Sequence, residues 1–205
     1  IGSRPWGTPS ARDAVSETFN FNHVTFNNVD TCVGFVTTSV DNTIIMENID
    51  ADNMKSAAVD LGNSYSPLTI KNSTFSNVNT DVYDYGGFIT GTDGRKEDAS
   101  IEVEGCTITN CYYNFIKVGH DNLSVKDITF NNSTLLSAPP GYFIKHHGHK
   151  DLIIEDIVKE MENIATSLFI YVMGIESYSA TKITLNNVLY VGEYHNPCQV
   201  SINPF

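Results

Sequence analysis

Two lysines and a run of histidines are the residues of this chain best equipped for chemistry. Lys117 closes Asn114-Phe-Ile-Lys117 and Lys145 closes Tyr142-Phe-Ile-Lys145, while His120, His146, His147 and His149 lie close by, with Asp121 and Asp127. If the two Phe-Ile-Lys runs are neighbouring parallel strands, the lysines stand about 4.8 Å apart, and each ammonium disfavours the other's charge. A lysine with a lowered pKa can abstract the proton α to a uronate carboxylate, the first step of β-elimination. Lys117, Lys145 and His147 are therefore the candidate catalytic residues. The plainer reading of the same group is a solvated basic edge on an acidic protein.

Strands must position these residues, and the chain is built from a repeat that supplies them. The template is apolar–x–apolar–x–Asn/Asp/Gly–x–x–apolar–x–Asn. Copies read FNFNHVTFNN from Phe19, IIMENIDADN from Ile44, LTIKNSTFSN from Leu68 and IEVEGCTITN from Ile101. They continue as LSVKDITFNN from Leu123, LIIEDIVKEM from Leu152 and ITLNNVLYVG from Ile183, so successive copies start 22 to 33 residues apart. Such a period, with insertions, marks a solenoid. Alternating apolar residues make a short strand with one buried face. The Asn, Asp or Gly that follows takes the left-handed backbone of a sharp bend. The closing Asn recurs at Asn28, Asn53, Asn77, Asn110 and Asn132; stacked, its amide can bond the amides above and below.

A third strand follows each copy: Gly34–Thr37, Ala58–Leu61, Gly87–Thr90, Asn114–Lys117, Tyr142–Lys145, Leu168–Tyr171 and Gln199–Ile202. This alignment predicts an aromatic column of Phe35, Phe88, Phe115, Phe143 and Phe169 beside a column of Thr37, Thr90, Lys117, Lys145 and Tyr171. Residues two apart on a strand share a face. Because a buried lysine is costly, Phe and Lys can both point outward, and the Phe ladder then lines a groove for sugar rings or a partner surface. The candidate binding residues on that reading are Phe115, Phe143, Phe169, Tyr171, His120, His146 and His149. The alternative turns the Phe column inward as an ordinary aromatic stack, with Lys emerging past a bend. Insertions at Asn79–Tyr85, Thr92–Ala99 and Leu135–Pro140 are loops of the kind that carry function.

The 205 residues fit one domain, spanning 1–205, with a core of its own. A net charge of -12 disfavours nucleic acid and anionic lipid as partners. No apolar run reaches the roughly 18 residues that cross a bilayer. Cys32, Cys106, Cys111 and Cys198 lack the paired spacing of a zinc site and read as small buried thiols, with disulfides the alternative. Asn72, Asn122, Asn131 and Asn132 each head a glycosylation sequon. Asp81, Asp84, Asp93 and Asp98 are candidate oxygen ligands for Ca2+, or plain solvated loop carboxylates. Residues 1–17 fall outside the repeat; Thr8-Pro9 and the residues to Glu17 read as a short helix capping the stack.

From Phe19 to about Ile202 the chain resembles the right-handed parallel β-helices of the pectate-lyase-like superfamily. The resemblance implies an all-β, single-stranded right-handed parallel β-helix of about seven coils, found outside the cell or at its surface. It embraces polysaccharide lyases, glycoside hydrolases, surface adhesins and catalytically silent modules. The alginate- and chondroitin-cleaving lyases pair a Lys in one coil with Arg-His-Gly in the next. Ile116-Lys117 and His146-His147-Gly148 are similar, with His146 where the Arg is expected. Gly119-His120-Asp121 and His147-Gly148-His149 each miss part of the polygalacturonase Gly-His-Gly. Three functions follow as expectations: a non-catalytic scaffold binding glycan or surface protein, a uronate lyase, and a segment of a surface filament that associates end to end.

Overall fold

The computed structural model describes residues 2–3, 17–35, 42–62, 64, 66–83, 86–91, 96–112, 114–131, 134–135, 142–146, 151–161, 163–164, 168–173, 182–192 and 200–203. In chain order the strands are β1 (Gly2–Ser3), β2 (Thr18–Asn22), β3 (Thr25–Phe35), β4 (Thr43–Glu47), β5 (Asp50–Asp60), β6 (Leu68–Lys71), β7 (Thr74–Val78), β8 (Gly87–Thr90) and β9 (Lys96–Cys111). They continue as β10 (Asn114–Val118), β11 (His120–Asn131), β12 (Thr134–Leu135), β13 (Tyr142–His146), β14 (Asp151–Met161), β15 (Asn163–Ile164), β16 (Leu168–Met173), β17 (Lys182–Gly192) and β18 (Val200–Asn203). There is no helix among the described residues, and the capping helix expected before Glu17 lies outside them. Sixteen strands join one sheet that does not close, and β12 pairs β15 in a small second sheet.

Each repeat pairs in parallel with the next. The first apolar position runs Phe19, Ile44, Leu68, Ile101, Leu123, Leu152, Ile183 down the stack, every neighbour in register. The period-2 pattern is what fixes this register: a one-residue slip would turn each apolar pair to water. Ile44 and Met46, Leu68 and Ile70, Ile101 and Val103, Leu123 and Val125, and Leu152 and Ile154 are all buried in one hydrophobic cluster.

Left-handed backbone marks one corner in all seven copies and a second corner in four of them. At the fifth template position His23, Asn48, Asn72, Gly105, Asp127, Asp156 and Asn187 all have φ between 48° and 63°. The closing Asn does the same at Asn28, Asn53, Asn77 and Asn110. Asn tolerates this region better than most residues, because its short side chain bonds locally. The stacked-amide expectation holds at two steps: Asn53 Nδ2 donates to Asn28 Oδ1, and Asn110 Nδ2 donates to Asn77 Oδ1 at 3.0 Å. Between them the ladder changes partner, since Asn77 Nδ2 donates to Asp52 Oδ1 at 2.8 Å.

The third strands follow the expected alignment only where they read Phe-Ile. Ile89, Ile116, Ile144 and Ile170 lie in register, but they align with Val33, Val59 and Val200. The copy placed at Gly34–Thr37 therefore slips by three residues, and those at Ala58–Leu61 and Gln199–Ile202 slip by one. Upstream, β5 has one residue more between Met54 and Ala57 than β3 has between Val29 and Thr31, so Val59 lies one residue further along its repeat than Val33 does. A bulge of that kind leaves no mark in an apolar pattern.

Candidate functional site

The corrected register assembles one polar column on the third strands. Gly34, Asp60, Thr90, Lys117, Lys145, Tyr171 and Ser201 are successive register partners, each about 4.8 Å from the next. Lys117 and Lys145 are thus direct cross-strand neighbours, with Tyr171 one strand further. Lys117 is half-buried. For Lys145 and Tyr171 the structure describes the backbone register. Asp60 takes the place expected of an apolar residue and extends the column with a carboxylate. Its Oδ1 accepts from the Gly62 N–H at 2.9 Å, and the Thr90 hydroxyl also bonds it. The residue as a whole is exposed, yet its carboxyl sits deep enough that loss of water raises its pKa. The nearby Asp30 adds to that, and the two hydrogen bonds oppose it.

The aromatic groove is corrected. Phe88 and Phe115 are fully buried, stacked on each other at 5.2 Å between ring centroids. Phe88 also meets the core ring of Phe75 edge-on at 4.8 Å. The inward alternative is the one realised: a flat aromatic ring in the core buries more apolar surface than any outward pose would. Phe115 therefore offers no ligand surface. Ile89, Ile116 and Ile144 are buried as well. Consecutive strand residues face opposite ways, so β8 and β10 are covered on both faces, as parallel strands commonly are.

His120 and His146 are corrected too. Both are buried, at 1 % and 0 % exposure. His146 Nε2 meets the carbonyl oxygen of His120 at 2.8 Å, and His120 Nε2 meets the carbonyl of Ser66 at 3.0 Å. A carbonyl only accepts, so each ring carries its proton on Nε2 and donates it to backbone. The pair ties successive turns of chain together. It cannot reach a polymer outside. A two-residue bulge makes room for it, because His120 pairs with Lys96 and Asn122 with Ser100. Ser64, Ser66 and Asp121 are buried in the same region, where the Ser64 and Ser66 hydroxyls bond each other.

His147 and His149 lie outside the described residues, and for Phe143 and Phe169 the register alone is described. Cys32 and Cys106 are free and buried, as the thiol reading expects, Cys111 is buried, and Cys198 lies outside the described residues. Burial pushes the Cys32 thiol up to about 12 and that of Cys106 to about 11. Among the described residues no three His, Cys, Asp or Glu side chains gather. Asp81 is exposed, Asp98 is described by backbone alone, and Asp84 and Asp93 lie outside the described residues. No helix among the described residues is long and apolar enough to cross a membrane.

One insertion is anchored at its first residue. Asn79 is buried and donates from Nδ2 to the carbonyls of Tyr83 at 2.9 Å and Tyr112 at 3.0 Å, while its Oδ1 accepts from Tyr83 N–H at 2.9 Å. At Gly86, which closes the loop, an added Cβ would lie 2.5 Å from the Ser56 carbonyl oxygen.

Fold and site together define an all-β repeat protein of parallel strands, with Lys117, Lys145 and Tyr171 in register on the third strands. No protein family, no curated protein and no solved structure matches this chain.

Proposed function

We propose that the chain is a single right-handed parallel β-helix of about seven coils, of the pectate-lyase-like superfamily, serving outside the cell as a non-catalytic scaffold for glycan or protein binding. The seven in-register copies and the recurring left-handed corners support that shape. The observation that carries the function is the fate of the histidines. Two residues nominated for the site, His120 and His146, are committed to backbone carbonyls in the interior. The polar column brings Lys117, Lys145 and Tyr171 into register, residue types that can hold an anionic ligand.

Lysines in this column suit a carboxylate or sulfate on a sugar, or an acidic side chain of a surface protein. Affinity electrophoresis through gels holding polygalacturonate or alginate tests this. The account expects retardation that weakens as salt rises and falls about tenfold in Lys117→Ala. Equal retardation of that variant would remove the column from the binding surface.

A second reading has one observation of its own. The Lys117–Lys145–Tyr171 register sets two lysines and a phenol side by side, so that one lysine as ammonium could neutralise a uronate carboxylate while the other as neutral amine takes its α proton. That reading is a polysaccharide lyase with Lys117 or Lys145 as base.

A further inference from the structure

A different face of the stack has a composition that the column does not explain. On the second strands of the repeat the outward positions form two columns. One runs Thr25, Asp50, Thr74, Thr107, Thr129, and the other Asn27, Asp52, Ser76, Thr109, Asn131, each residue in register with the next. Between them the inward residues Ala51, Phe75 and Ile108 are buried, which fixes the direction of the alternation. Thr25, Asn27, Asp50, Thr74 and Thr129 are exposed, and Asp52, Ser76, Thr107 and Thr109 are half-buried.

Over these five strands every position is a short hydroxyl, amide or carboxylate; beyond them the first column passes to Val158 and Leu189, where the polar run ends. Rungs repeat at about 4.8 Å, and the two columns stand roughly 6.6 Å apart along each strand. No Lys or Arg is present to take an anion, and the two carboxylates, on a chain of net charge -12, repel one. Within the five strands there is no aromatic or aliphatic anchor of the kind that concentrates binding energy at protein interfaces. What remains is a rigid grid of short donors and acceptors, eight of the ten uncharged. Thr is stiff at χ1, so little side-chain entropy is lost when it is engaged. Asp52 is already held by Ser76 Oγ at 2.7 Å and Asn77 Nδ2 at 2.8 Å. Those bonds lower its pKa and keep it an acceptor.

We propose that this face binds an extended, uncharged polysaccharide, whose hydroxyls repeat along the stack as the protein's own groups do. Single hydrogen bonds of this type contribute little each, and recurrence over five strands supplies the avidity. The inference rests on the reading of the chain as a glycan-binding scaffold and adds a second surface, for neutral rather than anionic glycans.

The test is affinity electrophoresis through gels holding hydroxyethylcellulose, galactomannan or soluble β-glucan, beside a polygalacturonate gel. Wild-type chain is expected to be retarded in at least one neutral gel, insensitively to salt. In Thr74→Lys/Thr129→Lys, which changes two exposed positions, the neutral retardation should fall at least tenfold while polygalacturonate retardation does not fall. Circular dichroism and a thermal melt establish that the variant is folded, and Thr74→Ser/Thr129→Ser should keep binding. Passage through all neutral gels unretarded, or unchanged retardation of the folded lysine variant, overturns the proposal. If the polygalacturonate gel still retards the chain and Lys117→Ala abolishes it, the scaffold reading survives that failure; if no gel retards it, both fall.

Discussion

At the residue scale the structure turns on positions where one atom decides the backbone. Gly86 is the sharpest case. A methyl there meets the Ser56 carbonyl oxygen at 2.5 Å, and backbone cannot yield cheaply. Gly86→Ala should cost about 1–3 kcal/mol, measured by urea unfolding, whereas a change below 0.5 kcal/mol would mean the loop relaxes freely. Gly105 differs: φ is +63°, and its added Cβ would meet the Asn72 side-chain oxygen at 2.8 Å. Since its register relatives at that corner include Asn, Asp and His, Gly105→Asn should be tolerated better than Gly105→Val. The thiols give a pH signature. Cys32 and Cys106 have pKa values raised in the folded state, so their contribution is complete below the ordinary value of 9.0 and is lost as pH climbs toward about 11 and 12. Stability should therefore decline above pH 9, and Cys106→Ala should flatten the decline; an equally steep fall in that variant would assign it elsewhere.

At the scale of elements, a charge ladder runs along the first strands. Glu47, Lys71, Glu104, Lys126 and Glu155 are successive partners across β4, β6, β9, β11 and β14, alternating in sign. Lys71 Nζ meets Glu104 at 3.1 Å and Glu102 at 3.3 Å, and Lys126 meets Glu155 at 3.1 Å. Hydrogen bonds to Glu104 and Glu102 raise the Lys71 pKa. These groups are partly exposed, so each pair contributes well under 1 kcal/mol. Reversal replaces attraction with repulsion on both sides. Lys71→Glu should destabilise by roughly 1 kcal/mol at low salt, the loss should shrink in high salt, and Glu104→Lys in the same chain should recover part of it. A salt-independent loss would argue for packing instead. The ladder stands in plain view in the repeat, at the fourth template position, but it emerges only when copies are compared for charge rather than for apolar period.

At the scale of the whole molecule, what the sequence disclosed follows from which interactions have a period. Apolar alternation and Asn corners repeat, so strand pairing across Phe19 to Ile183 could be read directly, as could the pairing of Lys117 with Lys145. The bulges in β5 and β9 have no periodic signature; they displaced the third strands around Val33 and Val59 and left the seat of His120 invisible. Orientation was ambiguous for a physical reason as well. Phe-Ile puts two large apolar residues on opposite faces, and alternation cannot say which face is the core when both are covered. The outward reading of Phe115 and the site role of His120 and His146 failed there. In a stack where each repeat touches only its neighbours, stability adds repeat by repeat, so a local misreading does not disturb the rest.

The central claim is that this scaffold holds its ligand without breaking it. The most direct measurement incubates the folded chain with alginate, pectate and chondroitin, with and without calcium, and follows the absorbance of unsaturated uronate ends. A flat trace on all three is the predicted result. A rise that disappears in Lys117→Ala or Lys145→Ala would contradict the claim and make the column a lyase active site.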